Sequence, residues 1–471
     1  MKSRTPKVLH ELCGRPMLAY VLDAARAATG ARPVVVYSPA TGSVCDAFAG
    51  EADFALQDEP RGTADAVRAG LPALPDDAEE VLVVSGDVPR VAAEVLLELI
   101  EQRRLDHAAL ALASVASLDP AGLGRVVRSD AGSVERIVEE KDATEDERQL
   151  IEINAGLYVF EADWLRARID SIAASPTTGE LYLTELVRIA RADGRLVASL
   201  DVEDDGRLSG INDRAQLAQA EWDLRTDLNH ALMRDGVTMR DPSTVYVDAT
   251  ATIEPDVTIE PNVILRGATS VGSGTTIGPG SQIADSTIGR NCHVWASVVE
   301  RSTVEDGVRI GPFAHLRPGS HVGAGSEIGN YAEIKNSRLG EGVRQHHMSY
   351  LGDADVGAGT NVGAGTITAN YDGTRKHRTT IGERVFLGVD TMLRAPVTLG
   401  DGARTGAGAV VTKDVPPGKL AVGVPARIRE PRAPIADPAA DTAADTAADT
   451  TGGDDAADAA DASRPSGPAD A

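Results

Sequence analysis

Residues 253–283 read IEPDVTIEPNVILRGATSVGSGTTIGPGSQI, and an aliphatic residue stands at every sixth position of this stretch. The spacing resumes in three later runs, at Val304, Ile310, Leu316, Val322, Ile328 and Ile334, at Val356, Val362 and Thr368, and at Ile381, Leu387, Leu393 and Leu399. A period of six fits neither an α-helix nor an amphipathic strand, and it is typical of hexapeptide repeats. The runs therefore predict a left-handed parallel β-helix rather than an ordinary glycine-rich β domain.

The first half of the chain has a different pattern, in which short aliphatic strands alternate with helical stretches. Strands are expected at 34–37, 81–84, 108–113 and 157–160, and helices at 17–26, 92–102 and 215–233. This alternation predicts an α/β domain with a mostly parallel, doubly wound sheet. We expect that domain to span residues 1–210, a linker helix 211–235, the β-helix 236–430, and a disordered acidic tail 431–471.

The composition of the chain argues against several classes of binding partner and cofactor. The chain has 471 residues and a formal net charge of −25, which argues against binding to nucleic acid or to anionic membranes. Its three cysteines, Cys13, Cys45 and Cys292, are far apart and indicate neither a disulfide framework nor a zinc site. With no signal peptide and no apolar run long enough for membrane insertion, we expect a cytoplasmic protein.

One candidate site in the α/β region follows a predicted strand. Ser85, Gly86 and Asp87 come directly after residues 81–84, and the carboxyl ends of parallel strands are where α/β sheets bind ligands. Asp87 could hold Mg²⁺ beside a triphosphate. A plain Gly-Asp turn is the alternative, because such turns are common after strands.

A second candidate site is a dense polar set within the β-helix. Arg317 and Lys335 could bind a phosphate on an otherwise acidic protein. His346 and His347 interrupt the repeat between two runs, and an imidazole titrates close enough to neutral pH to act as a general base. The residues alone leave open which of the two histidines would react.

The motifs of both halves occur in one order that resembles a known family. In the α/β region they are PKVLHEL-GRPML, QDEPRGTADA, VVSGDVPR, GLGRV, IVEEKDA, EINAGLYVF, GELYLTE and GINDRAQL; in the β-helix they are HLRPG, GNYAEIKNS, HHMSYLGD, GTNVGAGT and TANYDG. The series resembles the bifunctional N-acetylglucosamine-1-phosphate uridylyltransferase/glucosamine-1-phosphate N-acetyltransferase family. The resemblance runs from Met1 to about Arg432.

For the α/β domain the resemblance implies a uridylyltransferase that uses UTP and Mg²⁺. The residues implied to contact the uridine nucleotide or the sugar are Lys7, Gln57, Gly62, Thr63, Ser85, Gly86, Asp87, Gly124, Glu139, Asn154, Tyr182 and Asn212. Of these, Asp87 and Asn212 would hold the metal ion. Ala155 is a departure, because the family usually has Thr there.

For the β-helix the resemblance implies an acetyltransferase that uses acetyl-CoA. His347, three residues before Tyr350, is implied to be the catalytic base. The implied contacts are Arg317, Lys335, Tyr350, Asn361 and Lys376 for glucosamine 1-phosphate, and Ala364, Asn370, Tyr371, Val389 and Ala407 for acetyl-CoA. Val389 is a departure, because Ser is common at this position. The family further implies a homotrimer.

The start of the chain also departs from the family. Members open on a hydrophobic strand and a glycine-rich LAAGxGTRM-type loop that cradles the nucleotide phosphates, and Met1 aligns with the last residue of that motif. Backbone N–H groups of such a loop stabilise charge that develops on phosphate. We therefore expect a natural start upstream of Met1, or else weak uridylyl transfer by the chain as it stands.

The leading interpretation is a bifunctional enzyme of UDP-N-acetylglucosamine synthesis. It would acetylate glucosamine 1-phosphate and then transfer a uridylyl group to the product, releasing pyrophosphate. Two enzymatic alternatives are an acetyltransferase with a crippled nucleotidyl domain and a hexose-1-phosphate nucleotidylyltransferase whose β-helix is only regulatory. A third, non-enzymatic alternative is a trimeric scaffold. The set of Lys335, His347, Tyr350, Asn370 and Tyr371 argues against a β-helix that is only regulatory, because regulation needs no general base.

Overall fold

The computed structural model describes residues 1–430. The acidic segment 431–471, for which the sequence predicts disorder, lies outside the described residues. No helix among those described is long and apolar enough to cross a membrane.

Eight α-helices and ten strands precede the β-helix. The helices are α1 (Met17–Thr29), α2 (Ser43–Ala47), α3 (Thr63–Gly70), α4 (Ala93–Leu105), α5 (Glu145–Arg148), α6 (Ala162–Arg168), α7 (Glu185–Ala192) and α8 (Arg214–Arg234). The strands are β1 (Glu11–Leu12), β2 (Arg15–Pro16), β3 (Val34–Tyr37), β4 (Asp53–Leu56), β5 (Glu80–Val84), β6 (Leu110–Ala116), β7 (Arg125–Arg128), β8 (Val134–Val138), β9 (Glu152–Glu161) and β10 (Val197–Val202). Short 3-10 helices lie at Lys7–Leu9, Pro39–Thr41, Leu71–Ala73, Ile169–Ser171 and Pro242–Thr244.

A six-stranded sheet forms the centre of the α/β domain. Its order is β10-β6-β9-β7-β8, with β5 also paired to β9, and β3 and β4 form a separate parallel pair. One apolar cluster packs α6 and α7 on one face of the sheet, and another packs α4 on the opposite face. Helices on both faces agree with the doubly wound class predicted from the sequence.

The prediction of a mostly parallel sheet is wrong for this domain. Strand β10 is parallel to β6, but β9 is antiparallel to β5, β6 and β7, and β7 is antiparallel to β8. A parallel connection needs a crossover of a dozen or more residues, usually a helix. The five residues 129–133 that join β7 to β8 are too few for such a crossover, so these two strands form an antiparallel hairpin, and β9 pairs antiparallel with β7 on its other side.

Helix α8 connects the α/β domain to the β-helix. The carboxylate of Asp213 caps its first turn by accepting from the backbone N–H groups of Ala215 at 2.9 Å and Gln216 at 2.8 Å. On one side Arg90 of the α/β domain donates to Asp223 at 2.7 Å. Near the other end the buried Asn229 amide donates to the carbonyl of Val245 at 3.0 Å, at the start of the β-helix. Helix α8 is therefore hydrogen-bonded to both the α/β domain and the β-helix.

Three sheets of very short strands form the β-helix. The first face consists of Thr238–Met239, Thr258–Ile259, Thr276–Ile277, His293–Val294, Arg309–Ile310, Glu327–Ile328, Arg344–Gln345, Asn361–Val362, Phe386–Leu387, Arg404–Thr405, Leu420–Val422 and the antiparallel Arg427–Arg429. The second face consists of Tyr246–Val247, Ile264–Arg266, Gln282–Ala284, Val298–Glu300, His315–Leu316, Ala332–Lys335, Ser349–Gly352, Ile367–Ala369, Met392–Arg394 and Val410–Val411. The third face consists of Thr252–Ile253, Ser270–Val271, Thr287–Ile288, Thr303–Val304, His321–Val322, Arg338–Leu339, Ala354–Val356, Thr379–Ile381 and Val397–Leu399.

The six-residue period marks the buried side chains of this structure. Each coil pairs in parallel with the next, so that Ile259 is opposite Ile277 and Leu316 opposite Ile334. These aliphatic residues belong to one continuous core that runs the length of the β-helix. Close stacking of coils also explains the glycines at the corners, because a Cβ on Gly329 would lie 2.0 Å from the carbonyl oxygen of His346.

Candidate functional site

The first cluster lies beyond the end of β5. The ammonium of Lys7 donates to Oδ2 of Asp87 at 2.5 Å and to Oδ1 of Asn212 at 2.9 Å. The segment that carries Asn212 is docked on this loop, because the N–H of Ile211 donates to the carbonyl of Asp87 at 3.0 Å. Three residues that are far apart in sequence, Lys7, Asp87 and Asn212, are therefore brought together.

The donor atoms of this cluster suit Mg²⁺. A carboxylate and an amide oxygen are hard ligands, and Mg²⁺ usually takes one or two protein oxygens while phosphates and water fill its other positions. Within residues 1–430 no group of three or more His, Cys, Asp and Glu could hold a metal ion by itself. Asp87 and Asn212 thus fit a metal ion that is shared with a polyphosphate.

Ser85 and Gly86 occupy the same loop. The Ser85 hydroxyl lies 3.5 Å from the carbonyl oxygen of Gly156, a long contact. A Cβ on Gly86 would be 3.4 Å from the side chain of Leu18 in α1, so the backbone approaches that helix closely. Ser85 and Gly86 therefore contribute to the backbone path of this loop and add no charged group to the cluster.

A second loop, residues 57–63, lies before α3. Gly62 has φ +120°, and a Cβ there would lie 2.5 Å from the carbonyl oxygen of Leu181, so only glycine fits without displacing backbone. The hydroxyl of Thr63 accepts from the N–H of Leu183 at 2.9 Å. The side-chain amide of Gln57 donates to the carbonyl of Gly62 at 3.2 Å and to Asp65 at 2.8 Å. Gln57, Gly62 and Thr63 therefore form one braced loop.

The predicted sugar residues meet around a half-buried carboxylate. A Cβ on Gly124 would lie 3.5 Å from Oε2 of Glu139, and the carbonyl of Gly124 accepts from the N–H of Asn154 at 2.9 Å. Burial raises the pKa of Glu139, although the hydroxyl of Thr184 donates to it at 3.0 Å. Gly124, Glu139 and Asn154 are therefore brought together.

Tyr182 lies on the segment that borders this group. Its hydroxyl shares a hydrogen bond of 2.7 Å with Thr178, and burial, with a smaller contribution from nearby carboxylates that include Glu139, raises its pKa. Thr184, two residues further on, contacts Glu139 directly and was not singled out from the sequence. Its motif, GELYLTE, is the only signal that could have indicated it.

The basic part of the β-helix site lies at the corner that follows the second face, which we call the second corner (residues 317–319, 335–337, 352–353 and 369–377). Here the carboxylate of Asp353 accepts from the amides of Asn336 and Asn370, each at 2.5 Å. Asp353 and Asn370 are both 8% exposed, so the three side chains are held rigidly. Asp353 was missed by the sequence reasoning, although it stands in the quoted motif HHMSYLGD.

Three cations surround this corner. Lys376 lies beside Lys335, and hydrogen bonding to it and repulsion by its charge lower the pKa of Lys335. Arg317 adds a smaller repulsion, and it also donates to Glu333 at 2.8 Å. Ammonium groups that repel each other bind a dianion well, because the anion removes the repulsion. Arg317, Lys335 and Lys376 therefore form a cationic cluster whose charge suits a phosphate group, and Tyr371 pairs with Lys376 in a short antiparallel bridge.

Other predicted residues lie at the corner that follows the first face, the first corner (residues 295–297, 311–313, 329–331, 346–348, 363–365, 388–390 and 406–408). His347, Ala364, Val389 and Ala407 each stand two residues after an inward position in four successive coils. They therefore form one column along this edge. Asn361 lies on the first face three residues before Ala364, and Tyr350 lies on the second face.

The two histidines at the first corner have different surroundings. Nε2 of His346 lies 2.6 Å from a carboxylate oxygen of Glu327, whereas the exposed ring of His347 makes no hydrogen bond within residues 1–430. The backbone beneath His347 is braced, because the hydroxyl of Ser349 donates to its carbonyl at 2.9 Å and accepts from the buried amide of Gln345 at 2.9 Å. Of the two rings, that of His347 is the one available to a substrate.

The structure does not bring all the predicted acetyl-transfer residues into one place. His347 is at the first corner, and Lys335 is at the second corner, beside Gly352 of the next coil. Four residues lie between His347 and Gly352, the last three of them in the second-face strand, so the two residues are up to roughly 16 Å apart at about 3.3 Å per residue. Asn370 and Tyr371, expected along acetyl-CoA, belong to the second corner with the cations.

These features define a class of protein. An α/β domain has a carboxylate, an amide and an ammonium grouped beyond the end of β5, and it is joined to a hexapeptide β-helix with a cationic corner. Together they are typical of a two-domain transferase that acts on phosphorylated substrates.

Comparisons with known proteins define the family. A MobA-like NTP transferase domain matches residues 1–153, and bacterial transferase hexapeptide repeats match 301–336 and 378–413. The bifunctional protein GlmU of Mycobacterium bovis is 43% identical over 430 residues, which cover 90% of this chain and 87% of that protein. The GlmU proteins of Heliobacterium modesticaldum and Geotalea uraniireducens are also 43% identical, with 90% of this chain covered and 92% and 93% of theirs.

The chain belongs to the family of bifunctional GlmU proteins. It is a bifunctional enzyme of UDP-N-acetylglucosamine synthesis, with a nucleotidyltransferase domain and a hexapeptide acetyltransferase domain, and its co-substrates are UTP and acetyl-CoA. The family, fold class and pair of activities predicted from the sequence are thus confirmed.

Two solved structures were also found by their shape. A CMP-2-keto-3-deoxy-manno-octonic acid synthetase with CTP covers 47% of this chain and 92% of its own at 17% identity and a TM-score of 0.36. The Arabidopsis UDP-N-acetylglucosamine acyltransferase covers 39% of this chain and 73% of its own at 16% identity and a TM-score of 0.31.

Proposed function

We propose that the chain is a homotrimer in which each acetyl-transfer site is closed between two adjacent β-helices. The observation that carries this proposal is the placement of His347 and the phosphate-binding cations at two different corners of one β-helix. A neighbouring copy would set its second corner against the first corner of this one. Proton acceptor and phosphate-binding cations would then face a single substrate.

An exposed apolar column supports association along the first corner. Trp295, Phe313, Tyr331 and Met348 follow one another there, and between 42% and 65% of each residue is exposed. The rings of Phe313 and Tyr331 stack with centroids 5.6 Å apart. Contiguous exposed aromatic residues are uncommon on a monomer and are enriched in interfaces. The column leads directly to His347, so burying it against a second copy would also enclose the reacting groups.

In the proposed acetyl transfer, Arg317, Lys335 and Lys376 hold the phosphate of glucosamine 1-phosphate. His347 takes a proton from the amino group of the sugar as its nitrogen attacks the thioester carbonyl of acetyl-CoA. A C–N bond forms, the C–S bond breaks, and the thiolate of CoA takes up a proton. Ala364, Val389 and Ala407, in the column above His347, provide a small and smooth edge for the cofactor, while Tyr350 and Asn361 border the sugar.

In the proposed uridylyl transfer, a phosphate oxygen of N-acetylglucosamine 1-phosphate attacks the α-phosphorus of UTP and pyrophosphate leaves. Gln57, Gly62 and Thr63 would bind the uridine, while Gly124, Glu139, Asn154 and Tyr182 would bind the sugar. The ammonium of Lys7 would turn from Asp87 to the triphosphate and stabilise its developing charge. Asp87 and Asn212 would hold Mg²⁺, which supplies charge neutralisation to the phosphates when bound.

We also propose a cytoplasmic location. UTP and acetyl-CoA are made inside the cell, and an enzyme that consumes both needs access to those pools. Fractionation of cells followed by an acetyl-transfer assay of each fraction tests this location, and activity confined to an extracellular fraction would contradict it.

A subunit-mixing experiment tests the trimer with shared sites. His347→Ala and Lys335→Ala chains are each expected to be nearly inactive in acetyl transfer. If they are unfolded and refolded together, about one interface in four would combine an intact His347 with an intact Lys335 from another copy. Release of free CoA thiol should then recover to about a quarter of the wild-type rate. A mixture as inactive as its separate components would show that each site lies within one chain.

A further inference from the structure

The orientation of the Gln57 side chain is fixed by its two neighbours. Its amide nitrogen lies 3.2 Å from the carbonyl oxygen of Gly62 and 2.8 Å from Oδ2 of Asp65. A backbone carbonyl can only accept hydrogen bonds, and so can an ionised carboxylate. Both hydrogens of the amide NH₂ group are therefore donated to these two acceptors. The assignment of nitrogen and oxygen follows from these partners and needs no other argument.

Asp65 remains ionised because of cations around it. The residue is 5% exposed, and Arg61 and Arg68 both pair with its carboxylate. Burial works against ionisation, but the hydrogen bond from Gln57 and the two guanidinium groups outweigh it and hold the pKa of Asp65 below its usual value. At neutral pH the carboxylate is thus a charged acceptor with no proton to donate.

Because the amide nitrogen of Gln57 is held in this way, the position of the amide oxygen, Oε1, is fixed as well. Oε1 of Gln57 is not among the buried unsatisfied atoms and accepts no hydrogen bond from the part of the chain that the structure describes. It is therefore an accessible acceptor beside Gly62. Turning the amide over would place this oxygen against the Asp65 carboxylate and the Gly62 carbonyl, which would set acceptor against acceptor in a half-buried place.

Uracil and cytosine differ at N3, the ring atom that an acceptor such as Oε1 of Gln57 would contact. Uracil has an N–H donor at N3, whereas neutral cytosine has an acceptor there and an amino group at C4. We infer that Asp65 is a positioning residue that sets base specificity: it fixes the Gln57 amide so that Oε1 accepts the N3–H of uracil and repels N3 of cytosine. The inference rests on the proposed contact between Gln57 and the uridine nucleotide.

The fixed orientation of the Gln57 amide also excludes cytosine. To bind CTP, Gln57 would have to present its NH₂ group, which means breaking the hydrogen bond to Asp65 and bringing two oxygens together. A site that is committed to one donor–acceptor pattern rejects the opposite pattern far more strongly than a freely rotating amide does. Asp65→Asn would remove this constraint, since the new side-chain amide can turn and donate to Oε1 of Gln57.

The test compares the binding of UTP and CTP, each with Mg²⁺, to the full chain by calorimetry. Wild-type protein should bind UTP at least about tenfold more tightly than CTP. Asp65→Asn should reduce the ratio of the two dissociation constants at least about fivefold, mainly by improving CTP binding. Asp163→Asn, which removes an exposed carboxylate on α6 away from the loop, is the matched control and should leave the ratio unchanged.

The outcomes separate this inference from the proposed site. Equal weakening of both nucleotides by Asp65→Asn would mean a merely structural role and overturns the inference. A wild-type protein with no preference for UTP overturns it without any variant, and so does an equal change of ratio in Asp163→Asn. Gln57→Ala tests the underlying contact: if it leaves UTP binding unchanged, the proposed uridine site itself is wrong. If Gln57→Ala weakens UTP binding while Asp65→Asn leaves the ratio intact, only the inference fails.

Discussion

The ammonium nitrogen of Lys7 lies 2.5 Å from Oδ2 of Asp87, and together they connect the first residues of the chain to the end of strand β5. Each side chain is partly exposed, at 34% and 23%, so the pair stays open to a ligand. An ammonium and a magnesium ion cannot both occupy the same carboxylate oxygen. In the proposed uridylyl transfer, Lys7 would therefore release Asp87 when a polyphosphate attracts its ammonium group.

Substitution of Asp87 should separate the two activities. Asp87→Asn keeps the shape of the side chain but removes the charged ligand, so uridylyl transfer should fall by at least about 100-fold. Acetyl transfer should stay at the wild-type rate, because its residues lie in the β-helix. The measurements are pyrophosphate release and CoA thiol release from the same preparation. Asp163→Asn, at an exposed position on α6, is the control. Loss of both activities in Asp87→Asn would instead assign Asp87 a role in folding.

The two adjacent histidines should differ sharply in acetyl transfer. His347→Ala should lower kcat by about 10²–10⁴-fold, as expected for the loss of a general base. His346→Ala should cost less than about tenfold, because this ring pairs with Glu327. Steady-state rates of thiol release at saturating substrates decide between them. An inactive His346→Ala beside a nearly normal His347→Ala would move the base by one residue.

The lowered pKa of Lys335 predicts a pH effect on phosphate binding. As pH rises, Lys335 should lose its charge at a pH below that of an ordinary lysine, since Lys376 disfavours the charged form. Binding of glucose 1-phosphate, which has no amino group to titrate, should weaken over that alkaline range. Lys376→Met should weaken binding about tenfold at neutral pH, and it should move the alkaline loss of binding to higher pH because the repulsion is gone.

The same titration has a matched control. Lys413→Met removes an ammonium elsewhere on the β-helix and should change neither the affinity nor the pH dependence. Calorimetric or competition measurements over the alkaline range give both quantities. A Lys376→Met variant whose affinity falls with pH along the wild-type curve would contradict the coupling between the two lysines.

Much of the β-helix could be predicted from the sequence because its rule is local. Each short strand buries one side chain, so a six-residue period in the chain becomes a row of buried residues such as Ile259, Leu265 and Ile277. The same rule could not indicate that His347 and Lys335 lie at different corners, because that depends on how the coils close in three dimensions. Asp353 was missed for a similar reason: its partners Asn336 and Asn370 are 17 residues away on either side.

The α/β domain was less predictable. Strands at 34–37 and 81–84 were found where expected, because aliphatic runs mark them. The antiparallel direction of β9 was not, since the direction of a strand depends on how the chain connects it to its neighbours, which the aliphatic runs do not specify. The inward role of Asp65 was also invisible, because an acidic residue at the start of a helix is usually a solvated one. Its partners Gln57 and Arg61 are identified only by the folded loop.

Glu139 provides a prediction about stability. Burial raises the pKa of this carboxyl in the folded protein, so its ionised form is disfavoured relative to the unfolded chain. The resulting loss of stability is fully present above the folded pKa and disappears below the unfolded value, which is about 4.3 for Glu. Glu139→Gln keeps an acceptor for the hydroxyl of Thr184 but removes the charge. It should therefore raise the melting temperature of the α/β domain by about 2–4 °C at pH 7.5.

This gain should shrink as the pH falls and vanish below about pH 4, where the wild-type carboxyl is neutral in both states. Calorimetric melting of wild type and variant across that range gives the comparison, with Glu135→Gln on the exposed part of β8 as control. Affinity for N-acetylglucosamine 1-phosphate should fall in the same variant, because Glu139 would lose its charge at the sugar. Stability and substrate binding would then oppose each other at one residue. A Glu139→Gln protein that melts at a lower temperature than wild type at pH 7.5 would show that the buried charge stabilises the fold.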